Sequence, residues 1–307
     1  METDVITELL AASVRIATPL LFGALGGVLS ESAGTFAVGV EGMMLAGAFG
    51  GAIVTLVSHS LALGLLTSAM CGAALAAIVS VATVCFRADQ MVTGLAANIF
   101  AFGITSFLLR GFFGGNAPAI VLPTLQAIPI PYLCRLPIVG PAFFAQPALT
   151  YAAFLLAIGL QIFLMKTRPG LALRAVGENP DAAFSTGTNP TLVRISATMA
   201  GGAIAGIGGA VLSLQELGTF TDGMTNGRGF IALAAIIVGR WIPWRVVLGC
   251  LLFGSAAGLG LNIQGWGLPV SSYVVQMMPY AIALAVLCGI GRKARMPAAI
   301  GKPFSRS

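Results

Sequence analysis

The chain has 307 residues, of which 57% are hydrophobic and only 8% are charged, and its mean hydropathy is +0.96. A soluble domain carries about 25% charged residues, so this composition excludes a surface covered by water and predicts a lipid bilayer as the surroundings. The net charge of +6 does not indicate a nucleic-acid partner, because the excess of basic residues in the inner loops of membrane proteins explains it better.

Helices are the expected membrane spans, because open strand edges cannot satisfy their backbone hydrogen bonds in lipid. Each span needs about 20 apolar residues. Residues 42–86 and 246–291 contain no Asp, Glu, Lys or Arg, and each run can hold two spans. The sequence therefore predicts an all-α integral membrane protein, a polytopic bundle of about nine transmembrane helices within a range of eight to ten. In chain order, the predicted spans are 9–29, 38–57, 61–85, 91–109, 148–166, 192–214, 225–239, 246–264 and 270–290.

Glycine is abundant, with 40 residues in the chain. Small residues let membrane helices approach one another closely, so the stretch GGAIAGIGGA (201–210) predicts tight packing of the sixth span. The span at 225–239 is short and begins with glycines, which leaves a broken helix as an alternative to a full crossing.

The basic residues predict the orientation of the chain. If every span crosses once, one side carries twelve basic residues, and the other carries Arg110, Arg135 and Arg228, with Arg15 in the outer part of the first span. The positive-inside rule makes the first of these sides cytoplasmic, with the C-terminus inside and the N-terminus outside. The twelve residues are Arg87, Lys166, Arg168, Arg174, Arg194, Arg240, Arg245, Arg292, Lys293, Arg295, Lys302 and Arg306.

Two stretches lie outside the predicted spans. Residues 110–147 contain seven prolines, which exclude a long regular helix and predict an irregular external loop with one short surface helix. The tail 292–307 is basic, and we expect it to be mobile. Contact with anionic lipid is enough to explain its charge.

A polar stretch, RAVGENPDAAFSTGTNP, follows the fifth predicted span on the predicted cytoplasmic side. Asn179 is a good N-cap, Pro180 suits the first helical turn, and Asp181 complements the positive end of the helix dipole. Gly187 is a natural stop for a helix. The stretch therefore predicts a helix of about two turns that presents Phe184 near water.

A helix this short is unstable alone in water, so we expect another element or protein to hold it. An exposed aromatic side chain on a short helix is a typical anchor for a partner's groove. The alternative is an ordinary solvated loop. The sequence contains no GxxxxGK[ST] motif for nucleotide binding, so energy for transport must come from a partner or from an ion gradient.

The same stretch resembles the cytoplasmic coupling segment of permeases of ABC importers of the branched-chain amino acid/ribose type. Two further stretches are similar to the nucleoside and simple-sugar permeases of that family. LGGVLSESAGTFAVGVEGMMLAGAFGGA (25–52) resembles their first cytoplasmic turn and second span. NGRGFIALAAIIVGRWIPW (226–244) resembles their Gly-Arg-Gly-Phe-Ile-Ala-Leu-Ala segment. The resemblance covers residues 8–292.

The resemblance implies a single permease domain, 1–307, with a coupling loop at 167–191, in the cytoplasmic (inner) membrane of a bacterium. It implies import of nucleosides, or otherwise of simple sugars, with no catalysis by this chain and no cofactor. The implied partners are an ABC ATPase subunit, a second homologous permease chain in a heterodimer, and an extracytoplasmic substrate-binding protein. The residues expected to couple to the ATPase are Arg174, Glu178, Asn179, Pro180, Asp181, Phe184 and Gly187.

Polar residues at membrane depth are costly and usually face the interior of a bundle. Glu31 and Glu41 lie between the first two spans, near the predicted cytoplasmic face. They form either a gate or contact with the coupling region, or they are interfacial carboxylates that stabilise helix ends. Asn98 bonds either a neighbouring helix or a substrate hydroxyl. The candidate residues of the substrate pathway are Asn98, Gln215, Glu216, Asn226 and Asn262.

Several of these candidates lie in the stretch QELGTFTDGMTNGRG, between the sixth and seventh spans. Its glycines permit irregular backbone, which lines a cavity when it lies at membrane depth. If the stretch dips inward, it offers hydrogen-bonding groups to a sugar or a nucleoside. If it stays outside, it contacts a binding protein instead.

Two other classes of protein remain as alternatives. An ion-driven secondary transporter of a small polar solute needs carboxylates or other ion ligands at the bilayer midplane, and no Asp or Glu lies at the centre of a predicted span. A membrane-embedded enzyme is disfavoured, because the chain has one histidine, His59, and neither a metal-ligand cluster nor paired carboxylates.

Overall fold

The computed structural model describes residues 2–113, 121–129, 134, 139–265, 272–290, 296–302 and 304. Most of these residues lie in α-helices, and two of the helices continue into a π-helical turn. The helices are α1 (Glu2–Ser32), α2 (Val40–Ser58), α3 (Leu61–Ser80), α4 (Gln90–Phe113), α5 (Val139–Phe144), α6 (Ala148–Lys166), α7 (Arg168–Glu178), α8 (Pro180–Ser185), α9 (Pro190–Ala210), α10 (Arg228–Gly239), α11 (Pro243–Gly265) and α12 (Ser272–Ile290). The π-helical turns are Val81–Cys85 after α3 and Val211–Glu216 after α9.

Side-chain caps fix the starts of four helices. Ser60, Thr167, Asn179 and Asn189 each accept a hydrogen bond from a backbone N–H group in the first turn of α3, α7, α8 and α9, respectively. A proline occupies the first turn of the last three helices, where its missing N–H group costs nothing. These polar residues therefore define where the four helices begin.

All nine predicted spans coincide with helices. Within the described ranges, seven helices are long and apolar enough to cross a membrane, judged by length and composition. The shorter apolar stretches are Arg228–Gly239, which is α10, and Met277–Val286 within α12. The chain is therefore an all-α polytopic membrane protein, and nine crossings remain a prediction.

Three helices form the centre of the bundle. Between 61% and 72% of the most apolar stretch is buried in α1, α2 and α9, against 28% to 33% in α3, α4 and α6. Helix α1 packs on α9, α10 and α11, while α9 also packs on α2 and α3. The exposed apolar side chains of α3, α4 and α6 include Ile78, Ile99 and Leu155, and these face outward as membrane helices require.

Glycines allow the central helices to touch. Gly201 of α9 lies against the backbone of Gly26 in α1, and Gly206 lies against Gly47 in α2, so closely that no Cβ atom fits at either contact. Such small-residue contacts bring membrane helices together through backbone packing. The tight packing predicted for the glycine-rich sixth span is confirmed.

The stretch between α4 and α6 is described only in part. It contains α5 and two short antiparallel strands, β1 (Ala127–Pro129) and β2 (Ala145–Pro147), paired with Ile128 opposite Gln146. The predicted short helix is therefore present, and the strand pair is an addition that the prolines did not indicate.

The connections with most of the basic residues meet at one end of the bundle. Gly177 at the end of α7 contacts the Ser32 carbonyl at the end of α1, and the Trp241 indole after α10 donates to Glu31. Gln90 at the start of α4 accepts hydrogen bonds from Phe36 N and Gly301 N. We call this end, formed by residues 31–36, 90, 167–191, 240–241 and 296–302, the basic end.

Candidate functional site

The coupling segment, residues 167–191, contains two consecutive helices at the basic end. Thr167 Oγ1 accepts a hydrogen bond from Gly170 N at 3.1 Å and starts α7, which the sequence reading did not predict. The last turn of α7 lies against the end of α1, where Gly177 leaves no room for a Cβ atom beside the Ser32 carbonyl. Helix α7 therefore connects the coupling segment to the first span.

Helix α8 is the short helix that the sequence predicts. The Asn179 side chain accepts a backbone hydrogen bond at 3.1 Å at its N-terminus. At its C-terminus, Gly187 N donates to Phe184 O at 2.9 Å and Thr188 N donates to Ala183 O at 3.1 Å. These two bonds form a Schellman motif, with Gly187 at the required positive φ of 87°. The predicted capped helix is confirmed.

One face of α8 points outward. Asp181 is exposed, and the Phe184 side chain is 39% exposed, whereas Ala183 is buried. The ring of Phe184 meets the ring of Phe304, with centroids 6.0 Å apart. A groove of about 370 Å³ lies beside α8, lined by residues 178–181 on one side and by Ala298, Ala299, Lys302 and Phe304 on the other.

The seven residues predicted to couple to an ATPase therefore lie together at the basic end. Arg174 is half-buried on α7, one turn before Glu178. The other five residues cap, form or end α8. Their role in ATPase binding remains a prediction.

The described part of the tail is packed, which differs from the expected mobile segment. Ala299 and Ile300 are only 3% and 5% exposed. Ala299 N donates to Gly177 O at 2.9 Å, and the Arg194 guanidinium donates to the carbonyls of Ala299 and Lys302. Apolar burial and main-chain hydrogen bonds thus hold residues 296–302 against the coupling segment, without any lipid contact being needed.

The second region is a broken helix inside the bundle. After the π-helical turn Val211–Glu216, residues 217–227 are irregular, and α10 begins at Arg228. Phe220 is buried, with its ring edge-on to Phe49 at 5.3 Å between centroids, whereas Asp222 is exposed. The stretch therefore dips inward in part. π-Helical turns of this kind are frequent at functional sites.

Charged and polar side chains interact with one another at the two ends of this irregular stretch. Glu216 Oε2 lies 3.6 Å from Arg228 Nη1, and Arg15 of α1 also interacts electrostatically with Glu216. Gln215 Nε2 donates to Thr150 Oγ1 at 3.2 Å. Within the described ranges, four buried atoms here have no hydrogen-bond partner: Ser213 Oγ, Gln215 Oε1, Glu216 Oε1 and Arg228 Nη1.

Glu41 lies deeper in the bundle than the sequence predicts. Its two carboxylate oxygens accept hydrogen bonds from Gly227 N at 2.8 Å and Gly229 N at 2.6 Å, at the N-terminus of α10. Helix α10 has 12 residues, about 18 Å, so this terminus lies well away from the basic end. The turn at 33–39 separates Glu31, near the end of α1, from Glu41 in the first turn of α2. Glu41 therefore lies farther from the basic end than Glu31, a difference that the sequence does not predict.

Glu31 lies at the basic end, where its side chain is buried. It is only 2% exposed. Its Oε1 atom accepts a hydrogen bond from Ala37 N at 3.2 Å, and its Oε2 atom accepts one from the Trp241 indole. Glu31 therefore joins the end of α1 to the following turn and to the C-terminal end of α10.

The three candidate asparagines occupy different surroundings. Asn98 bridges helices, because its Oδ1 atom accepts from Gly42 N at 2.8 Å and its Nδ2 group donates to Val38 O at 2.9 Å. Asn226 has a positive φ of 42° and an exposed side chain near the end of the irregular stretch. Asn262 belongs to α11, and its side chain lies outside the described part of the structure.

Sequence reasoning missed three residues that organise these regions. Arg194 counted only as a positive charge, Gln90 was not considered, and Gly229 was treated as part of a motif. The Thr-x-Pro-Gly signal at 167–170 could have revealed the start of α7. Nothing local in the sequence indicated that Gly229 would meet Glu41, because the two residues are 188 positions apart.

These regions together define a polytopic helical membrane protein with a capped, exposed helix at its basic end and a broken helix inside its bundle. Residues 9–287 match the family model described as branched-chain amino acid transport system / permease component. The chain belongs to this family. It is therefore a permease component of an ABC transporter, a transport subunit, and the family implies a bilayer, an ATPase and a substrate-binding protein as partners.

Individual relatives are similar over most of their length. The chain is 36% identical to the nucleoside ABC transporter permease protein NupC of Lactococcus lactis, over 98% of each chain. It is 34% identical to the guanosine ABC transporter permease protein NupQ of Bacillus subtilis, over 98% of this chain and 97% of the relative. A provisionally named glucose ABC transporter permease protein of Haloferax volcanii is 38% identical, over 85% of this chain and 79% of its own length.

Proposed function

We propose that this chain is the membrane-spanning permease subunit of an ATP-driven importer of nucleosides. The observation that carries the proposal is the capped helix α8 on the basic end, in a chain similar to two nucleoside-type permease proteins over at least 97% of their length. A rigid, exposed helix can transmit a displacement into the bundle, whereas a flexible loop cannot.

Simple sugars are the second candidate substrate class, because of the similarity to the glucose-type protein. Both classes are neutral and rich in hydroxyl groups. The buried polar atoms of Ser213, Gln215 and Glu216 offer such groups hydrogen-bond partners in the broken-helix region. Gln215, Glu216 and Asn226 are therefore our candidates for substrate contact. For Asn98, whose amide already bridges two backbone groups, we favour a structural role.

The ATPase is proposed to dock on the outward face of α8. Phe184 is the proposed anchor, with Asp181 beside it, while Asn179 and Gly187 keep the helix capped at both ends. An aromatic side chain that becomes buried when the partner binds is the kind of residue that dominates binding at protein interfaces. Arg174 and Glu178 on α7 would extend the same surface.

The proposed assembly is a heterodimer with a second homologous permease chain, together with ATPase subunits and an extracytoplasmic substrate-binding protein, in a bacterial cytoplasmic membrane. We propose nine crossings and one permease domain. If all nine spans cross once, every second connection and the C-terminal tail lie on the same side of the membrane. These are the connections that contact one another at the basic end, which supports the count of nine.

The test is uptake into membrane vesicles that contain the full transporter. Guanosine, adenosine and glucose are offered with and without ATP, and with and without an uncoupler. We expect ATP-dependent accumulation of a nucleoside that survives the uncoupler. Uptake that persists without ATP and collapses with the uncoupler would instead support the ion-driven alternative, and ATP-dependent uptake of glucose alone would support the sugar class.

A further inference from the structure

The C-terminal segment, residues 296–302 and 304, touches three other parts of the basic end. Ala299 N donates to Gly177 O on α7, and the Phe304 ring meets Phe184 on α8. Gly301 N donates to Gln90 Oε1 at the start of α4. The segment therefore joins the two coupling helices to a membrane-spanning helix that is far from them in sequence.

Arg194 holds this segment in place. It is only 1% exposed, and its Nη1 group donates to Lys302 O at 2.9 Å while Nη2 donates to Ala299 O at 3.4 Å. A Cβ atom on Gly34 would lie 3.0 Å from Nη2. The guanidinium is therefore enclosed between the C-terminal segment and the turn that follows α1.

Gln90 reaches the same turn from the other side. Its Oε1 atom accepts hydrogen bonds from Phe36 N at 2.7 Å and from Gly301 N at 3.3 Å, and its Nε2 group donates to Gly34 O at 3.5 Å. The C-terminal segment and the turn at 33–39 thus share Gln90 as a common hydrogen-bond partner, while Arg194 hydrogen-bonds the segment and lies against Gly34 of the turn.

We propose that the C-terminal segment is a working part of the coupling device, and that Arg194 is the residue that positions it. This inference rests on the proposed function. A displacement of α8 reaches the turn at 33–39 through α7 and also through the C-terminal segment, and that turn lies between Glu31 and Glu41, which hold α10. Without the segment, only the contact through α7 remains, so less of the displacement of α8 reaches the turn.

Lysine cannot replace Arg194 in this role. A guanidinium presents a planar fork of N–H donors that reaches two carbonyls at once, while an ammonium group is a compact point charge. A buried charge is tolerated only when it is hydrogen-bonded, so the Arg194→Lys variant should release the segment to obtain water. The change keeps the positive charge at this position. A loss of coupling in the Arg194→Lys variant therefore cannot come from an altered orientation of the chain under the positive-inside rule.

The experiment compares three forms of the chain in the complete reconstituted transporter: wild type, Arg194→Lys, and a chain that ends before Met296. The readout is guanosine imported per ATP hydrolysed. We expect the ATPase still to co-purify with both variants, and the ratio to fall at least fivefold. Arg87→Lys is the matched control, since Arg87 is an exposed arginine at the same side of the predicted topology, and its ratio should equal that of the wild type.

Hydrogen–deuterium exchange gives a second readout that does not require a working variant. In the wild-type complex, the peptide amides of 298–302 should exchange at least tenfold more slowly than in the Arg194→Lys variant. Rapid exchange in the wild type, or an unchanged import ratio in the shortened chain, overturns the proposal. If the wild type itself neither binds an ATPase nor imports guanosine, the proposed function fails, and slow exchange would still show the packing of the segment.

Discussion

Glu31 and Glu41 hold the opposite ends of the same short helix. Glu41 accepts hydrogen bonds from Gly227 N and Gly229 N at the N-terminus of α10, and Glu31 accepts one from the Trp241 indole, two residues beyond its C-terminus. Both carboxyl groups belong to one short stretch of chain that also contacts α7. A shift of that stretch therefore carries both ends of α10 with it, and α10 borders the broken-helix region.

The Glu41→Gln variant should impair transport severely. The two oxygens of Glu41 each accept one N–H group, and the amide of glutamine offers a single acceptor oxygen. One buried N–H group at the N-terminus of α10 is then left facing another donor, at a cost of about 1–3 kcal/mol. We expect uptake to fall about tenfold or more, measured as ATP-dependent nucleoside accumulation in vesicles at matched protein levels.

The control for this variant is Glu8→Gln, an exposed glutamate near the start of α1. It removes the same charge without disturbing a helix terminus, and its uptake should match the wild type. Equal uptake by the Glu41→Gln variant and the wild type would show that the cap on α10 does not matter for transport.

The Gly229→Ala variant tests the contact between α10 and α2 directly. A Cβ atom at this position would lie 2.6 Å from both the N and Cα atoms of Glu41, so backbone atoms must move. Overpacking of this kind costs about 1–3 kcal/mol, and we expect a lower melting temperature of the purified protein and lost uptake. Gly159→Ala is the control, because no atom lies within 4 Å of its added methyl group and the melting temperature should hold.

Local signals in the sequence were sufficient to predict the positions of the spans and of α8. Apolar runs of span length gave the helices, and Asn179 with Gly187 gave the two ends of α8, because caps act within a few residues. The helix α7 was missed, although its Thr167 cap is equally local. The reason is that its polar residues were interpreted as part of a loop.

The depth of Glu41 could not be read from the sequence. A carboxylate just before an apolar run looks interfacial, and its actual partners, Gly227 and Gly229, are supplied by a chain segment almost two hundred residues away. The packed tail was missed for the same reason. Its docking depends on Arg194 and Gln90, which meet it only in the folded bundle.

The Phe184→Asp variant should uncouple ATP hydrolysis from transport without preventing membrane insertion. The ring is exposed at the basic end, and a charged side chain there removes an apolar anchor of the kind that contributes 2 kcal/mol or more, roughly, at protein interfaces. We expect loss of ATPase subunit from the purified complex, measured by subunit stoichiometry. Ser185→Asp adds the same charge at the neighbouring exposed position, so retention of the ATPase in that variant and its loss in Phe184→Asp separates anchoring from charge.

The Gly187→Leu variant tests whether α8 must be rigid. Gly187 has a φ of 87°, and a side chain in this left-handed region costs about 1–2 kcal/mol. The strain opens the Schellman motif and loosens the end of α8, so we expect ATP hydrolysis to continue while uptake per ATP falls severalfold. In Gly111→Leu, where nothing lies within 4 Å of the added Cβ atom, both rates should stay at the wild-type level. If the Gly187→Leu variant takes up as much substrate per ATP as the wild type, a rigid C-terminus of α8 is not required for coupling.

The sidedness of α8 decides whether an intracellular motor can reach it at all. Ser185 lies on α8 at the basic end, and His59 lies between α2 and α3, a connection that single crossings place on the opposite side. In a chain whose five cysteines are replaced, we expect Ser185→Cys to react with a membrane-impermeant maleimide only in inside-out vesicles, because twelve basic residues orient that side toward the cytoplasm. His59→Cys should react only in right-side-out vesicles. If Ser185→Cys is labelled from the external face instead, α8 cannot be driven by a cytoplasmic ATPase, whatever its caps and contacts.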